Sequence, residues 1–165
     1  AMVKAERKYG RPLSLSLSPG AWLSTRHADF LRGHAEMWRI SDDLWDDWDD
    51  VLAQFPRLAR WSRFSGDGHW ADADMLPLGH IGIRAERGED RLCGLSADEQ
   101  LTMLALWCMA RSPLMVGGDL ASTPSETLDM LRNDSLREVT AGSRGNAEIL
   151  REPVTGVGRS VVRGG

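Results

Sequence analysis

Long apolar runs are missing from this chain of 165 residues. No stretch reaches the roughly eighteen consecutive apolar residues of a membrane-spanning helix, so none is expected. The first eight residues, Ala1 to Lys8, are polar and lack the apolar centre of a signal peptide. Cysteine is scarce. Cys93 and Cys108 stand at no metal-ligand spacing, one in an expected loop and one in an expected helix core, and are read as two free thiols rather than a disulfide. The four His residues are scattered and no His-Glu-x-x-His occurs, so neither a metal nor another cofactor is expected. Lysine is confined to Lys4 and Lys8; every other basic residue is Arg. The net charge of −4 speaks against a nucleic-acid-binding surface. No low-complexity tract is found.

What is present is chemically pointed. Hydrophobic residues make up 42% of the chain, enough for the core of one domain. Trp38-Arg39-Ile40-Ser41-Asp42-Asp43-Leu44-Trp45-Asp46-Asp47-Trp48 places an Arg and paired carboxylates between a short apolar run and an amphipathic helix. About thirty residues on, Gly68-His69-Trp70-Ala71-Asp72-Ala73-Asp74-Met75 repeats the theme. Such a strand-to-helix junction is where an α/β barrel builds its active site. Arg, Trp and spaced carboxylates suit a sugar-processing site: carboxylates do acid/base work and indoles offer apolar faces. The Asp run from Asp42 to Asp50 is no metal site on this reading, because most of its carboxylates point around one helix.

The elements alternate. Arg11–Ser18 reads as a strand ending at Pro19-Gly20, and Ser24–His34 as a helix with Ser24 as N-cap. Glu36–Ile40 is a second strand. Trp45, Trp48, Leu52 and Phe55 recur on one helical face, with Pro56 near its end. A third strand is expected over Asp72–Leu76 and a long loop over Pro77–Leu95. Ser96-Ala97-Asp98-Glu99 is a capping box that opens a helix to about Arg111. Pro113–Val116 is a fourth strand. Thr123-Pro124-Ser125-Glu126 reads as a second capping box, before a helix to about Arg132. The tail from Ala141 to Gly165 has little periodicity. The fold class is therefore α/β, with βα repeated four times; four strands cannot close an eight-stranded barrel.

Four motifs in order carry a family resemblance: Trp38-Arg39-x-x-x-Asp43; Gly68-x-Trp70-x-Asp72-x-Asp74-Met75; Leu106-Trp107 through Arg111-Ser112-Pro113-Leu114 to Gly118-Asp119-Leu120; and Leu131-x-Asn133-x-x-Leu136-x-x-Val139. Together they resemble the catalytic barrel of retaining α-galactosidases and α-N-acetylgalactosaminidases, glycoside hydrolase family 27, over roughly Arg11 to Ala141. The resemblance implies the second half of a (β/α)8 TIM barrel over residues 1–140, and over 141–165 the exit toward a β-sandwich. It implies a hydrolase that removes terminal α-linked galactose or N-acetylgalactosamine by double displacement. Asp43 resembles the acid/base, with the adjacent Asp42 as the alternative. Arg39 would bind a sugar hydroxyl beside it. Asp74 and Met75 resemble residues lining the sugar pocket, against a loop-capping role for Asp74. Ser18 matches the position where a small residue leaves room for an acetamido group.

The family's nucleophile sits in a Lys-x-Asp motif, which this chain lacks, and its second sugar-gripping carboxylate pair has no counterpart. Both are expected upstream of Ala1, which makes this chain the C-terminal part of a larger enzyme, inactive alone. The expected partners are a carbohydrate substrate and a separate N-terminal half; no nucleic acid or membrane is expected. A rival expectation is a non-catalytic, sugar-binding or self-assembling half-barrel, closed by homodimerisation. Among the other residues, Asp72 is expected to order its loop and Asp119 to serve structure. Trp45, Trp48 and Trp107 are assigned to the core. Trp22 falls at the pocket rim or is an ordinary exposed aromatic, and His69 and His80 flank the carboxylate loop.

Overall fold

The computed structural model describes residues 2–85, 87–151 and 160–163. Three short strands form a parallel sheet in sequence order: β1 (Ser16–Leu17), β2 (Met37–Arg39) and β3 (Trp70–Asp72). The register sets Leu17 beside Trp38, Trp38 beside Ala71, and Arg39 beside Asp72. Beyond β3, Leu76 and Val116 make one further parallel bridge, with Leu76 N–H donating to Met115 O at 2.7 Å and Gly117 N–H to Leu76 O at 2.8 Å. The fourth strand expected over Pro113–Val116 is thus reduced to this bridge. The expected first strand, Arg11–Ser18, is paired only near its end, since β2 is its one partner among the described residues and residues 11–14 are exposed. The third strand lies earlier than expected. Asp74, at φ +87°, breaks the extended chain before Leu76.

The helices begin with α1 (Met2–Tyr9), which the sequence pattern did not announce. Ser24 caps a 3₁₀ turn over Thr25–His27, its side chain accepting from Arg26 N–H, and α2 (Ala28–Arg32) follows. Asp47 caps α3 (Trp48–Trp61) by accepting from Asp49 N–H. Because the helix starts at Trp48, Trp45 lies outside it. The buried face is Val51, Gln54, Leu58 and Trp61, one residue out of phase with the expected Trp48, Leu52 and Phe55 stripe, which is half-buried along the flank. Pro56 does not end the helix. A mid-helix proline costs about 3 kcal/mol; burying Leu58 and Trp61 beyond it, at roughly 1.5–3 kcal/mol for a large apolar side chain, offsets that.

The expected loop over Pro77–Leu95 contains a small antiparallel pair, β4 (His80–Ile81) with β5 (Arg91–Leu92). The Ser96–Glu99 capping box is formed, and α4 (Ala97–Ala110) follows, ended by Arg111 in the left-handed conformation. The second capping box is absent: α5 (Ser125–Leu131) has no side-chain cap, and Thr123 Oγ1 instead donates to Asp119 O and accepts from His80 N–H. Asn133 caps α6 (Asp134–Gly142), a helix that was not anticipated. The tail is more ordered than its weak periodicity indicates. β6 (Ala147–Arg151) pairs antiparallel with β7 (Ser160–Arg163), while 152–159 and 164–165 lie outside the described residues.

The core sits between the sheet and helices α3 and α4. Trp38, Ile40, Ala71 and Ala73 meet Leu58, Trp61, Met103, Leu104 and Trp107 there. The rings of Trp38 and Trp61 stand 6.0 Å apart. Trp107 is fully buried, as expected, and its Nε1 donates to Asp74 O at 2.8 Å. Cys108 is buried, Cys93 half-buried, and both are free thiols. No helix among the described residues is long and apolar enough to cross a membrane.

Candidate active site

The C-terminal ends of the parallel strands carry the candidate residues. Ser18 follows β1 directly, Arg39 closes β2, Asp43 lies four residues on, and Asp74 and Met75 follow β3. Strand alternation sends Trp38 into the core, so Arg39 points to the opposite face. Its guanidinium is held by two carboxylates. Nη2 donates to Asp43 Oδ1 at 3.2 Å, and Nη1 pairs with Asp74 Oδ1 at 2.8 Å. Its Nε is buried without a partner among the described residues.

The two carboxylates differ in surroundings. The Asp43 side chain is 74% exposed and has Arg39 as its charged partner, whereas Asp74 is 7% exposed. Both Asp74 oxygens are engaged: Oδ2 accepts from Leu44 N–H at 2.6 Å, and Oδ1 accepts from Met75 N–H at 2.7 Å as well as from Arg39. Asp74 therefore ties the turn that bears Asp43 to the end of β3. Asp72, as expected, orders its own loop by accepting from Asp74 N–H at 2.9 Å. Burial pushes the Asp72 carboxyl above its ordinary value, against the Asp74 amide and the charge of Arg39.

Asp42 faces a different partner. Its Oδ1 accepts from Ala21 N–H at 3.2 Å. A Cβ at residue 20 would stand 2.9 Å from that oxygen, and Gly20 has φ +80°, so a side chain there would strain the turn and displace the Asp42 carboxylate. Asp42 thus tethers the Ser18–Ala21 loop to the Asp43 turn.

Ser18, Arg39 and Asp43 line one open hollow of ≈ 280 Å³, together with Pro19, Gly20, Ser41 and Asp42. Asp74 lies behind Arg39 rather than on its wall. Met75 faces a second, larger hollow of ≈ 500 Å³ that Trp45, His80, Arg84 and Asp119 also line. Trp45, assigned to the core by its spacing, is half-buried at this hollow, with Arg87 5.8 Å over its ring. Trp48 packs half-buried against the core. Trp22 is 93% exposed. His69 is turned away; its Nδ1 meets Ala35 O at 2.9 Å, in a hollow shared with Glu6 and Arg32. Asp119 accepts from the Ser122 amide and hydroxyl, a structural cap.

One anchor escaped the sequence. The Asp46 side chain, 6% exposed, accepts from both terminal guanidinium nitrogens of Arg91, Nη2 at 2.7 Å, and from the Gly94 amide at 2.6 Å. Burial raises its carboxyl, but the hydrogen bonds from Arg91 and Gly94 outweigh that and hold it below its ordinary value. No local pattern pairs residues 46 and 91. Among the described residues, no group of three His, Cys, Asp or Glu side chains could hold a metal ion.

Residues 1–141 match the family described as Melibiase_2, alpha galactosidase A. The chain is 26% identical over 144 residues to an α-galactosidase of Oryza sativa subsp. japonica, covering 87% of this chain and 31% of that protein. It is 31% identical over 140 residues to an α-N-acetylgalactosaminidase of Gallus gallus, covering 80% and 32% respectively. Among solved structures, the GH27 β-L-arabinopyranosidase Abp of Geobacillus stearothermophilus superposes with a TM-score of 0.86 at 44% identity, over 90% of this chain and 34% of that one. The chain thus spans about a third of the length of the relatives it matches. Its parallel βα arrangement corresponds to part of those enzymes, and the chain belongs to the glycoside hydrolase family of α-galactosidase A.

Proposed function

We propose that this chain supplies the acid/base half of a retaining exo-glycosidase site. The observation that carries this is the hollow in which Ser18, Arg39 and Asp43 meet at the C-terminal ends of a parallel sheet. Asp43 is the acid/base: its carboxylate is exposed to the hollow and accepts from Arg39, while Asp42 is tied to the Ala21 amide. Arg39 binds a sugar hydroxyl, Ser18 leaves room beside the ring, the buried Asp74 holds Arg39 from behind, and Met75 shapes the neighbouring hollow. The nucleophile comes from outside these 165 residues, since no Lys-x-Asp is present, and the chain alone hydrolyses nothing. A retaining reaction places that nucleophile about 5–5.5 Å from Asp43. In this arrangement residues 1–140 are strands five to eight of a (β/α)8 barrel, and 141–165 lead out toward a further domain.

The substrate we infer is a terminal glycoside of galactose stereochemistry. Relatives named for α-galactose and α-N-acetylgalactosamine support that, as does the β-L-arabinopyranosidase at 44% identity. L-Arabinopyranose has the ring stereochemistry of galactose without the hydroxymethyl group, so one Arg39–Asp43 pair serves either sugar. The test is a chimera in which residues 1–141 replace the matching segment of the Geobacillus enzyme. Assayed on aryl α-galactoside, α-N-acetylgalactosaminide and β-L-arabinopyranoside, it is expected to hydrolyse at least one, with retention, while the isolated chain cleaves none. A folded chimera inactive on all three would sink the proposal. The self-assembling half-barrel is the second reading, because β1 has one partner strand among the described residues.

A further inference from the structure

Two hollows flank the candidate acid/base, and the chain passes from one to the other between consecutive residues. Asp43 lines the hollow of ≈ 280 Å³ with Ser18 and Arg39, while Leu44 and Trp45 line that of ≈ 500 Å³. The crossing point is pinned, because Leu44 N–H donates to the buried Asp74 carboxylate at 2.6 Å. An exo-glycosidase cuts between the sugar it removes and the group that leaves, and its acid must reach the oxygen that joins them. The first hollow, with Arg39 and Ser18, serves the sugar that is removed. The second lies on the other side of the acid.

The larger hollow has the build of a ligand site. Small-molecule pockets enclose roughly 300–1,000 Å³ and combine apolar and aromatic walls with a few polar groups. Here the half-buried indole of Trp45 forms part of the wall, whereas Trp48 packs against the core. Arg87 stands 5.8 Å over that ring, on an exposed side chain that a ligand can displace. Ile83, 52% exposed, adds a second apolar surface. A Cβ at Gly117 would lie 2.7 Å from Met75 Sδ, so the Met75 thioether rests on bare backbone. The polar groups are His80, Arg84 and Asp119. Their wall is set without a ligand: His80 meets Asp90 and Ser122, and Asp119 accepts from the Ser122 hydroxyl.

We propose that this hollow is the leaving-group subsite, and that it takes a second sugar ring. The ring lies with its apolar face on Trp45, and its hydroxyls turn toward the polar wall. Asp43, at the divide, is then placed to protonate the oxygen between the two rings. The indole therefore sets which leaving groups are accepted, independently of which sugar is removed.

This assignment rests on the proposed glycosidase function, and the chimera described above tests it. For the sugar that the chimera removes, kcat/KM is measured on a disaccharide and on the glycosyl fluoride, whose leaving group has no ring to dock. Trp45→Ala is expected to lower kcat/KM for the disaccharide about tenfold relative to the fluoride, and Trp45→Phe, which keeps an aromatic face, to recover most of that ratio. Should Trp45→Ala fail to fold, Ile83→Ala takes its place, with a shift in the same direction. A folded chimera that cleaves neither substrate fails at the glycosidase reading and takes the subsite with it. Equal losses on both substrates, as a merely structural indole would give, or an unchanged ratio, overturn the subsite alone.

Discussion

Replacing Asp74 by Asn is expected to unfasten the candidate site from below while leaving its outline intact. Asn keeps the volume and tolerates the left-handed backbone at φ +87°. It turns an amide donor toward a set of donors: Arg39 Nη1 at 2.8 Å, Leu44 N–H at 2.6 Å and Met75 N–H at 2.7 Å. Leu44 is 1% exposed, so its amide has no route to water, at a cost of about 1–3 kcal/mol. Removing one partner of a buried ion pair costs about 3–5 kcal/mol. These terms overlap, and Arg39 keeps Asp43, an exposed pair worth about 0–1 kcal/mol. The expected loss is therefore about 4 kcal/mol, or roughly 8–16 °C in Tm for a chain of this size. Asp43→Asn, at a side chain 74% exposed, is expected to cost under about 1 kcal/mol. Guanidinium denaturation followed by tryptophan fluorescence, with m-values compared, separates the two. Equal losses, or a loss below about 1 kcal/mol for Asp74→Asn, would refute the division into a structural and a chemical carboxylate.

Asp46 predicts a pH dependence. Its folded carboxyl is depressed, so its contribution is fully present above the ordinary carboxylate value and is lost as pH falls through the depressed one. Asp46→Asn is expected to lower stability at neutral pH, with the gap to wild type closing below about pH 4 in acid denaturation; a gap independent of pH would count against the Arg91 anchor. Gly118→Ala is expected to destabilise by about 1–3 kcal/mol or more, because the added Cβ would lie 2.0 Å from Leu78 O. A denaturation midpoint unchanged from wild type would show that the 117–119 backbone is not held so closely.

What the sequence made legible was local. The i, i+4 spacing of Arg39 and Asp43 is an ion pair, Ser96 and Glu99 form their capping box, and Glu36–Ile40 contains a strand. Each follows from neighbours within about one turn of chain. What stayed hidden depends on partners far away. Asp46 finds Arg91 across 45 residues, and Thr123 gives its hydroxyl to Asp119 and His80 instead of capping a helix. The buried face of α3 lies one position from the Trp48, Leu52 and Phe55 stripe, because Val51, Leu58 and Trp61 are the residues that meet the core. His80 meets Asp90 and Ser122 from two other segments, and no spacing rule joins them. The sequence makes Asp74 a candidate, but gives no sign that both its oxygens are consumed by the fold.

The most direct test of the central claim compares Asp43→Asn with Asp42→Asn in the chimera built on the Geobacillus enzyme. General acid/base catalysis contributes about 10²–10⁴-fold. Asp43→Asn is predicted to lose activity on that scale, most with poor leaving groups, while Asp42→Asn, whose amide oxygen still accepts from Ala21 N–H, stays within about tenfold of the parent. The opposite order, or full activity in Asp43→Asn, would contradict the assignment of the acid/base to Asp43.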